Sequence, residues 1–355
     1  MNPDEHQLQY PWGDHQPEPG VATEVAPGVK WIRMPLPFAL DHINLWLLRD
    51  EIDGRQGWTI VDCGISRDEV RTLWEQVFAT ALDGLPVLRV IVTHMHPDHA
   101  GLAHWLCERW QAPLWMSMTD YMVAVLWSSR ATGAGPNGEA AVLHFARHGL
   151  TDPEAQEQIR RRAGYYPDLV PAMPTSYVRL MHGDDVKIGG RDWRVIVGYG
   201  HAPEHVSLFC PDLQVLISGD MVLPRISTNV SVFAYEPESD PLQLYLRSLD
   251  GYCDLPADTL VLPSHGRPFK GLHQRIAQQH QHHADRLAEV LQACRTPQST
   301  ADIVPVLFKR KLDLHQLTFA MGEALAHLHT LYFEGKLTRQ TGDDGIVRFS
   351  VRELH

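Results

Sequence analysis

A chain of 355 residues with 31 Lys and Arg against 43 Asp and Glu carries a formal charge of −12, which repels polyanions and argues against nucleic acid as a partner. Its 44% hydrophobic content can supply a substantial core, and its length exceeds the usual single core, so a large domain plus a smaller one is expected. No apolar run approaches the ~20 residues of a membrane span, and the five scattered cysteines, Cys63, Cys107, Cys210, Cys253 and Cys294, form no CxxC pair and suit reduced thiols.

In chain order, residues 1–20 are polar and lack the basic and apolar blocks of a secretory signal, so they are expected to be a flexible arm on a cytoplasmic protein. Residues 29–34, 43–48 and 58–61 read as strands; the third ends in Asp62-Cys63-Gly64, and 67–81 follows as a helix. Such an order suggests an α/β sandwich whose early strands pair antiparallel. The apolar run 88–92 then delivers Thr93-His94-Met95-His96-Pro97-Asp98-His99-Ala100-Gly101, three imidazoles and a carboxylate inside six residues. His94 would emerge at a strand tip, and His96, two residues on in extended chain, would point to the same side, so two neutral imidazoles can share one ion. Pro97 breaks the ladder and redirects Asp98 and His99 toward a second ion. Leu102, Trp105, Leu106 and Trp110 have helical spacing. Asp62, at a neighbouring strand end, is a candidate hydrogen-bond partner for a ligand, although a plain turn residue fits it equally.

Residues 116–175 change character. A helical aromatic and aliphatic stretch at 121–128, a Gly/Pro loop at 133–138 and the cap sequence Thr151-Asp152-Pro153-Glu154 suggest an inserted helical lid. Strands resume at 177–181, 185–188 and 192–197, the last running into Gly198-Tyr199-Gly200-His201; 213–218 ends in Gly219-Asp220, and 259–262 in Pro263-Ser264-His265-Gly266. Apolar strands thus repeatedly deliver a His or Asp at or beyond the C-terminal end, where α/β folds place ligand sites. His94, His96, Asp98, His99, His201, Asp220 and His265 are the candidate metal ligands. Tyr199, Arg225, Asn229 and Arg267, close in sequence to them, are candidate substrate contacts. The run His280-Gln281-His282-His283, on a long polar helix, reads as solvated surface.

That helix serves as a connector over 271–295. Residues 296–355 then read helix, helix, hairpin, turning at Asp343-Asp344-Gly345. Seven basic and seven acidic side chains balance there, leaving no electrostatic footprint for nucleic acid. Packing, roofing a substrate or forming a homodimer suits this tail better.

The HxHxDH loop, with Gly200-His201-Ala202-Pro203-Glu204-His205, Ser218-Gly219-Asp220, Pro263-Ser264-His265-Gly266 and the earlier Val61-Asp62-Cys63-Gly64, resembles the metallo-β-lactamase fold superfamily over about residues 25–270. The resemblance implies an αββα sandwich over 21–270 with a dinuclear site. His94, His96 and His201 would hold one metal, Asp98, His99 and His265 the other, and Asp220 would bridge them. Asp220, where some lactamases use cysteine, looks closer to the glyoxalase II, lactonase and ribonuclease branches. The tail resembles the winged-helix domain appended to some relatives, including the mammalian β-lactamase-like-protein-2 endoribonucleases. Two divalent ions, zinc first with iron or manganese suited to the same ligands, would acidify a shared water to attack a carbonyl or phosphorus centre, with Asp98 as the catalytic residue orienting it. The expected function is hydrolysis of a small ester, thioester or lactone. RNA or phosphodiester cleavage is the runner-up; a mononuclear iron oxygenase and a non-catalytic metal-bound sensor are further alternatives. Two departures bear on specificity: Glu204 stands where relatives commonly have glycine, which would bring it toward the pocket, and His201 follows His99 by 102 residues, longer than compact relatives need.

Overall fold

The computed structural model describes residues 2–129 and 138–352, so all but Gly138 of the expected 133–138 loop lies outside the described residues. The chain divides into two compact units: Met1–Ser129, Tyr166–Thr228 and Ser248–Ile276 form the first, and Arg130–Tyr165, Asn229–Arg247 and Ala277–His355 the second.

In the first unit, β1 (Ala22–Ala26), β2 (Val29–Pro35), β3 (His42–Ile52) and β4 (Arg55–Val61) pair antiparallel as a meander. After α1 (Asp68–Ala81), β5 (Val87–Ile91) joins β4 in parallel; the short α2 (Pro97–Ala100) and α3 (Ala103–Trp110) lead to β6 (Leu114–Met116), parallel to β5. Next come α4 (Met118–Ser128), α5 (Glu139–Arg147), α6 (Pro153–Arg161) and α7 (Tyr165–Leu169), before β7 (Val178–Arg179) closes the seven-stranded sheet in the order β1 to β7. The second sheet comprises β8 (Asp185–Ile188), β9 (Arg191–Gly198), β10 (His205–Cys210) and β11 (Val215–Gly219), with β12 (Leu260–Pro263) added in parallel to β11 across a connection that includes α8 (Pro241–Asp250).

Alternation along the strands decides how the sheets meet. Val29 and Trp31 of β2, Trp46 and Leu48 of β3, and Val61 and Ile91 turn toward Trp193, Val195, Val206, Leu208, Ile217 and Leu262 of the second sheet, forming one dry core. Trp74 on α1 is fully buried and donates its indole N–H to the Cys63 carbonyl at 2.8 Å, seating that helix on the first sheet. The parallel strands share a direction, so β4, β5, β11 and β12 expose their C-terminal ends to the loops carrying Asp62, His94, Asp220 and His265. Two hydrogen bonds bind the loops across the sheets: Val206 N–H to the Thr93 carbonyl at 2.8 Å, and Asn44 N–H to the Ser264 carbonyl at 2.7 Å.

The strand β10 has no counterpart in the sequence reading. All six of its residues are buried, so it shows no alternation, and its first residue closes the His201 motif.

Residues 1–20 are not the flexible arm expected from their polarity. Gln9 exchanges backbone hydrogen bonds with Lys270 at 3.1 and 2.8 Å, Leu8 is buried, and Trp12 packs against the core. The arm's acidic residues are tied down by arginines, Glu5 to Arg225 at 3.0 Å and Asp14 to Arg267.

In the second unit, α9 (Leu272–Ala293) contributes from Ala277 on, followed by α10 (Thr300–Leu307), α11 (Leu314–Phe333) and the antiparallel hairpin β13 (Leu337–Thr341) with β14 (Val347–Val351). The expected lid over 116–175 is divided: α5 and α6 belong with this tail, whereas α4 stays in the first unit. The physical reason is burial. Ala141, Val142 and Phe145 of α5 and Ile159 of α6 need an apolar neighbour, and α6 packs on α11 while Ala301 donates its N–H to the His148 carbonyl at 3.1 Å. The run at 280–283 is solvated only in part: Gln281 is exposed and His280 and His282 are half-buried, whereas His283 is fully buried against Tyr245 and His327.

Candidate metal centre

The seven histidines and carboxylates singled out by the sequence converge at one end of the first unit. They form two groups, His94, His96, His201 and Asp220, then Asp98, His99 and His265, each with donor atoms within 4.8 Å of one another. In the first group His94 Nε2 lies 2.9 Å from His96 Nδ1 and 3.2 Å from His201 Nε2. In the second, His99 Nε2 and His265 Nε2 lie 3.6 and 3.4 Å from Asp98 Oδ2. Asp220 faces both groups: Oδ2 is 3.3 Å from His201 Nε2, while Oδ1 is 3.5 Å from His99 Nε2 and 3.4 Å from His265 Nε2.

The outer nitrogens of the rings are occupied, which aims the inner ones. His99 Nδ1 pairs with Asp62 Oδ2 at 2.8 Å, and His265 Nδ1 donates to the His42 carbonyl at 2.9 Å. His94 Nδ1 meets the Thr93 hydroxyl at 3.0 Å. Asp62 stands in the left-handed region at φ 63, a conformation Asp tolerates better than most residues, and its Oδ1 accepts the Thr93 N–H at 2.8 Å. One carboxylate therefore orients His99 and anchors the start of the ligand loop.

The donor set fits divalent cations. Ring nitrogens of His96 and His201 converge to within 3.2 Å of His94 Nε2, and His99 Nε2 and Asp220 Oδ1 are buried without a hydrogen-bond partner among the described residues. Buried polar atoms are rarely left so unless an ion or ordered water completes them. Electrostatics divides the two groups. Burial among other rings drives His94 well below its ordinary value and His96 to about 3. In the second group burial is outweighed: Asp62, Asp98 and Asp220 hold His99 up at about 9, and His99 and His265 bring the Asp98 carboxyl to about 2. Bound cations would take over the charge that the protonated rings supply.

Three residues beyond the seven shape the site. His205 lies beneath Asp220, whose N–H donates to His205 Nε2 at 3.0 Å; a Cβ on Gly219, at φ +54, would collide with this ring. His42 Nε2 accepts the Gly266 N–H at 2.8 Å. Asn44 donates to the Pro263 and Gly266 carbonyls at 2.8 and 2.9 Å while accepting from the Trp31 indole. His205 was visible as the end of the His201 motif; His42 and Asn44 gave no local signal.

Of the four candidate substrate contacts, Arg225 and Arg267 are engaged by residues of the N-terminal arm. Tyr199 is 41% exposed, with its N–H on Ser248 Oγ. Arg225 pairs with Glu5, and Arg267 donates to the Gly13 carbonyl at 2.6 Å and covers the Tyr10 ring at 4.2 Å. Asn229 belongs to the second unit and donates to Glu323 at 3.2 Å. Glu204, expected toward the pocket, accepts the Thr119 N–H at 3.1 Å at the start of α4.

Comparison with known proteins bears on this arrangement. A family model for the metallo-beta-lactamase superfamily matches residues 39–265, and one for the metallo-beta-lactamase-like C-terminal domain matches 287–352. Among solved structures, a beta-lactamase domain protein from Burkholderia ambifaria is similar at 60% identity over 98% of this chain and 99% of that one, with a TM-score of 0.93. A metallo-beta-lactamase family protein from Thermus thermophilus shares 29% identity over 92% of this chain and 99% of its own, with a TM-score of 0.75. The probable metallo-hydrolase YqjP of Bacillus subtilis (strain 168) is 25% identical over 320 residues, 86% of this chain and 93% of that protein.

Proposed function

The chain belongs to the metallo-β-lactamase superfamily, and from that premise we propose a dinuclear metallo-hydrolase that cleaves a small ester, thioester or lactone. The observation carrying this reading is Asp220, whose two oxygens each face a different set of histidines. On it, His94, His96 and His201 would hold one ion and Asp98, His99 and His265 the other, with Asp220 facing both groups. When bound, such a pair acidifies a water from its bulk pKa of 15.7 to about 7 and polarises the acceptor oxygen of the substrate. Zinc suits the ligands first, with iron or manganese able to use the same set.

The chain's own residues do the rest. Asp98, ionised with its carboxyl near 2, accepts a hydrogen bond from the attacking water and passes its proton toward the leaving group. Asp62 keeps the His99 ring oriented, and His42 does so for His265. Two features support a small, uncharged acyl substrate: the charge of −12, and the apolar side chains of Met118, Met122 and Val125 exposed on α4. Among the described residues no helix is long and apolar enough to cross a membrane. The free cysteines support a reducing compartment, and on that ground we assign the enzyme to the cytoplasm.

The test is turnover of an ester, thioester and lactone panel by protein loaded separately with zinc, iron or manganese. Activity lost on chelation and in Asp98→Ala is expected; no turnover on the panel with any metal would reject the reading. Phosphodiester cleavage is the second reading, favoured by the helix, helix, hairpin order of the tail. Salt-sensitive RNA cutting that disappears in His96→Ala would put it first.

A further inference from the structure

We propose that Asp120 and Tyr166 act as a clamp on the backbone of Met95, positioning His94 and His96 on either side of it and tying their loop to the one that carries His201. The inference rests on the metal-centre reading above and extends it to two residues outside the ligand set.

The strand cannot position these ligands by itself, because β5 ends at Ile91. Beyond it, side chains grip the backbone. Asp120 Oδ1 accepts the Met95 N–H at 2.9 Å, and the Tyr166 hydroxyl donates to the Met95 carbonyl. The two peptide groups that flank the Met95 Cα are thus held, one through its N–H by α4 and the other through its carbonyl by α7. Asp120 Oδ2 accepts the Glu204 N–H at 2.6 Å and the Ser117 hydroxyl at 3.3 Å. Glu204 lies between His201 and His205, so a single carboxylate fastens a loop of the first sheet to a loop of the second. Asp120 is fully buried, Met95 is 1% exposed and Tyr166 2% exposed, with Trp127 edge-on to the Tyr166 ring at 5.3 Å.

Burying a carboxylate is costly unless it is hydrogen-bonded, and here its partners are backbone groups and a hydroxyl rather than a cation. A site that needed only packing would be served by an apolar side chain. The cost is intelligible if the two N–H groups must be held at fixed positions, because ligand geometry is set by what orients the ligands. In these terms α4 and α7 are supports for the ligand loops, and Glu204 contributes its backbone to the clamp and its side chain to the start of α4.

The test is zinc affinity of the purified full-length chain, measured by competition with a chelating dye, with thermal unfolding of the metal-free protein in parallel. Asp120→Asn keeps the shape of the side chain but sets an amide N–H against one of the two backbone N–H groups; Tyr166→Phe removes one hydroxyl. Asp50→Asn is the control. That carboxylate is also buried and bonded, to Thr59 at 2.6 Å, Arg89 at 3.0 Å and the Gly189 N–H at 3.0 Å, but it lies eight residues along β3 from His42, ~26 Å in extended chain. Expected are losses of zinc affinity of roughly 10- to 100-fold for Asp120→Asn and about 10-fold for Tyr166→Phe, the range for residues that orient ligands. The double variant should lose less than the product, because both residues act through the backbone of one residue, Met95. Asp50→Asn should lower the unfolding midpoint and leave zinc affinity within about threefold, as expected for distant sites. The clamp is overturned if both clamp variants bind zinc like the parent, or if Asp50→Asn weakens zinc as much as Asp120→Asn. Should Asp120→Asn fail to fold, Tyr166→Phe decides. A parent chain that binds no zinc, iron or manganese would overturn the metal-centre reading and the clamp with it.

Discussion

Each unit buries a cluster of histidines, and the two clusters behave in opposite ways. In both, ring nitrogens are anchored from outside: His99 by Asp62 and His265 by the His42 carbonyl in the first unit, His327 by the Glu323 carbonyl and His329 by the Ser239 carbonyl, each at 2.8 Å, in the second. In the first unit, however, Asp62, Asp98 and Asp220 outweigh burial and hold His99 up at about 9, the last two standing among the rings. In the second unit burial dominates, taking His144 and His327 to about 4 and His148 to about 3 and lowering His329 despite the nearby charges of Glu238 and Asp240, so these rings are neutral core. Among the described residues only the first cluster assembles three or more donors within reach of one ion. Number and burial of histidines do not by themselves distinguish a candidate metal centre; here it is the cluster with Asp98 and Asp220 among the rings that gathers the donors.

The widest separation between the clusters should come from deleting one ring in each. His96→Ala is expected to cost more than the ~100-fold that losing an orienting partner can cost, in metal affinity and turnover alike. His327→Ala should leave the metal bound per chain unchanged and lower only the unfolding midpoint; metal analysis with thermal denaturation checks both, and metal loss in His327→Ala would break the contrast.

The second cluster's neighbour Glu323 should sharpen it. Burial raises this carboxyl to about 7, against the hydrogen bond from Asn229 and the charge of Arg286. The fold therefore favours the neutral acid. Its contribution is fully present below the ordinary value near 4.5 and is lost as pH rises through about 7, at most roughly 3 kcal/mol at 1.36 kcal/mol per unit. Denaturation midpoints between pH 4 and 8 should fall across that window in the parent and flatten in Glu323→Gln, with zinc affinity the same in both. A flat parent profile would count against the buried neutral acid.

The smallest effect concerns α10, whose capping box pairs Ser299 N–H with Asp302 Oδ2 at 2.9 Å and Asp302 N–H with Ser299 Oγ at 3.3 Å. Ser299→Ala should cost ~1 kcal/mol of stability, read by urea denaturation, and nothing in metal binding.

Local pattern explains why the first cluster was legible in the sequence. His94 to His99 follow an apolar strand within six residues, and Asp220 and His265 repeat that placement at two later strand ends. What stayed hidden lacked a period or a neighbour. The strand β10 is buried along its whole length and so does not alternate, while Asp120 meets Met95 and Glu204 across 25 and 84 residues through backbone groups that any sequence would provide. The order of residues 1–20 escaped notice because their polarity, read as solvation, instead serves Arg225 and Arg267.

The amino-acid sequence alone determined the chemistry of the site: which side chains can hold a cation, and that they stand at strand ends, because ligand type and strand period are properties of short stretches. Tertiary structure decided which histidines converge on carboxylates and which are buried as neutral core, and which helices of the 116–175 region belong with the tail. Those outcomes depend on apolar faces and buried N–H groups finding partners far along the chain, and no local pattern records who the partner will be.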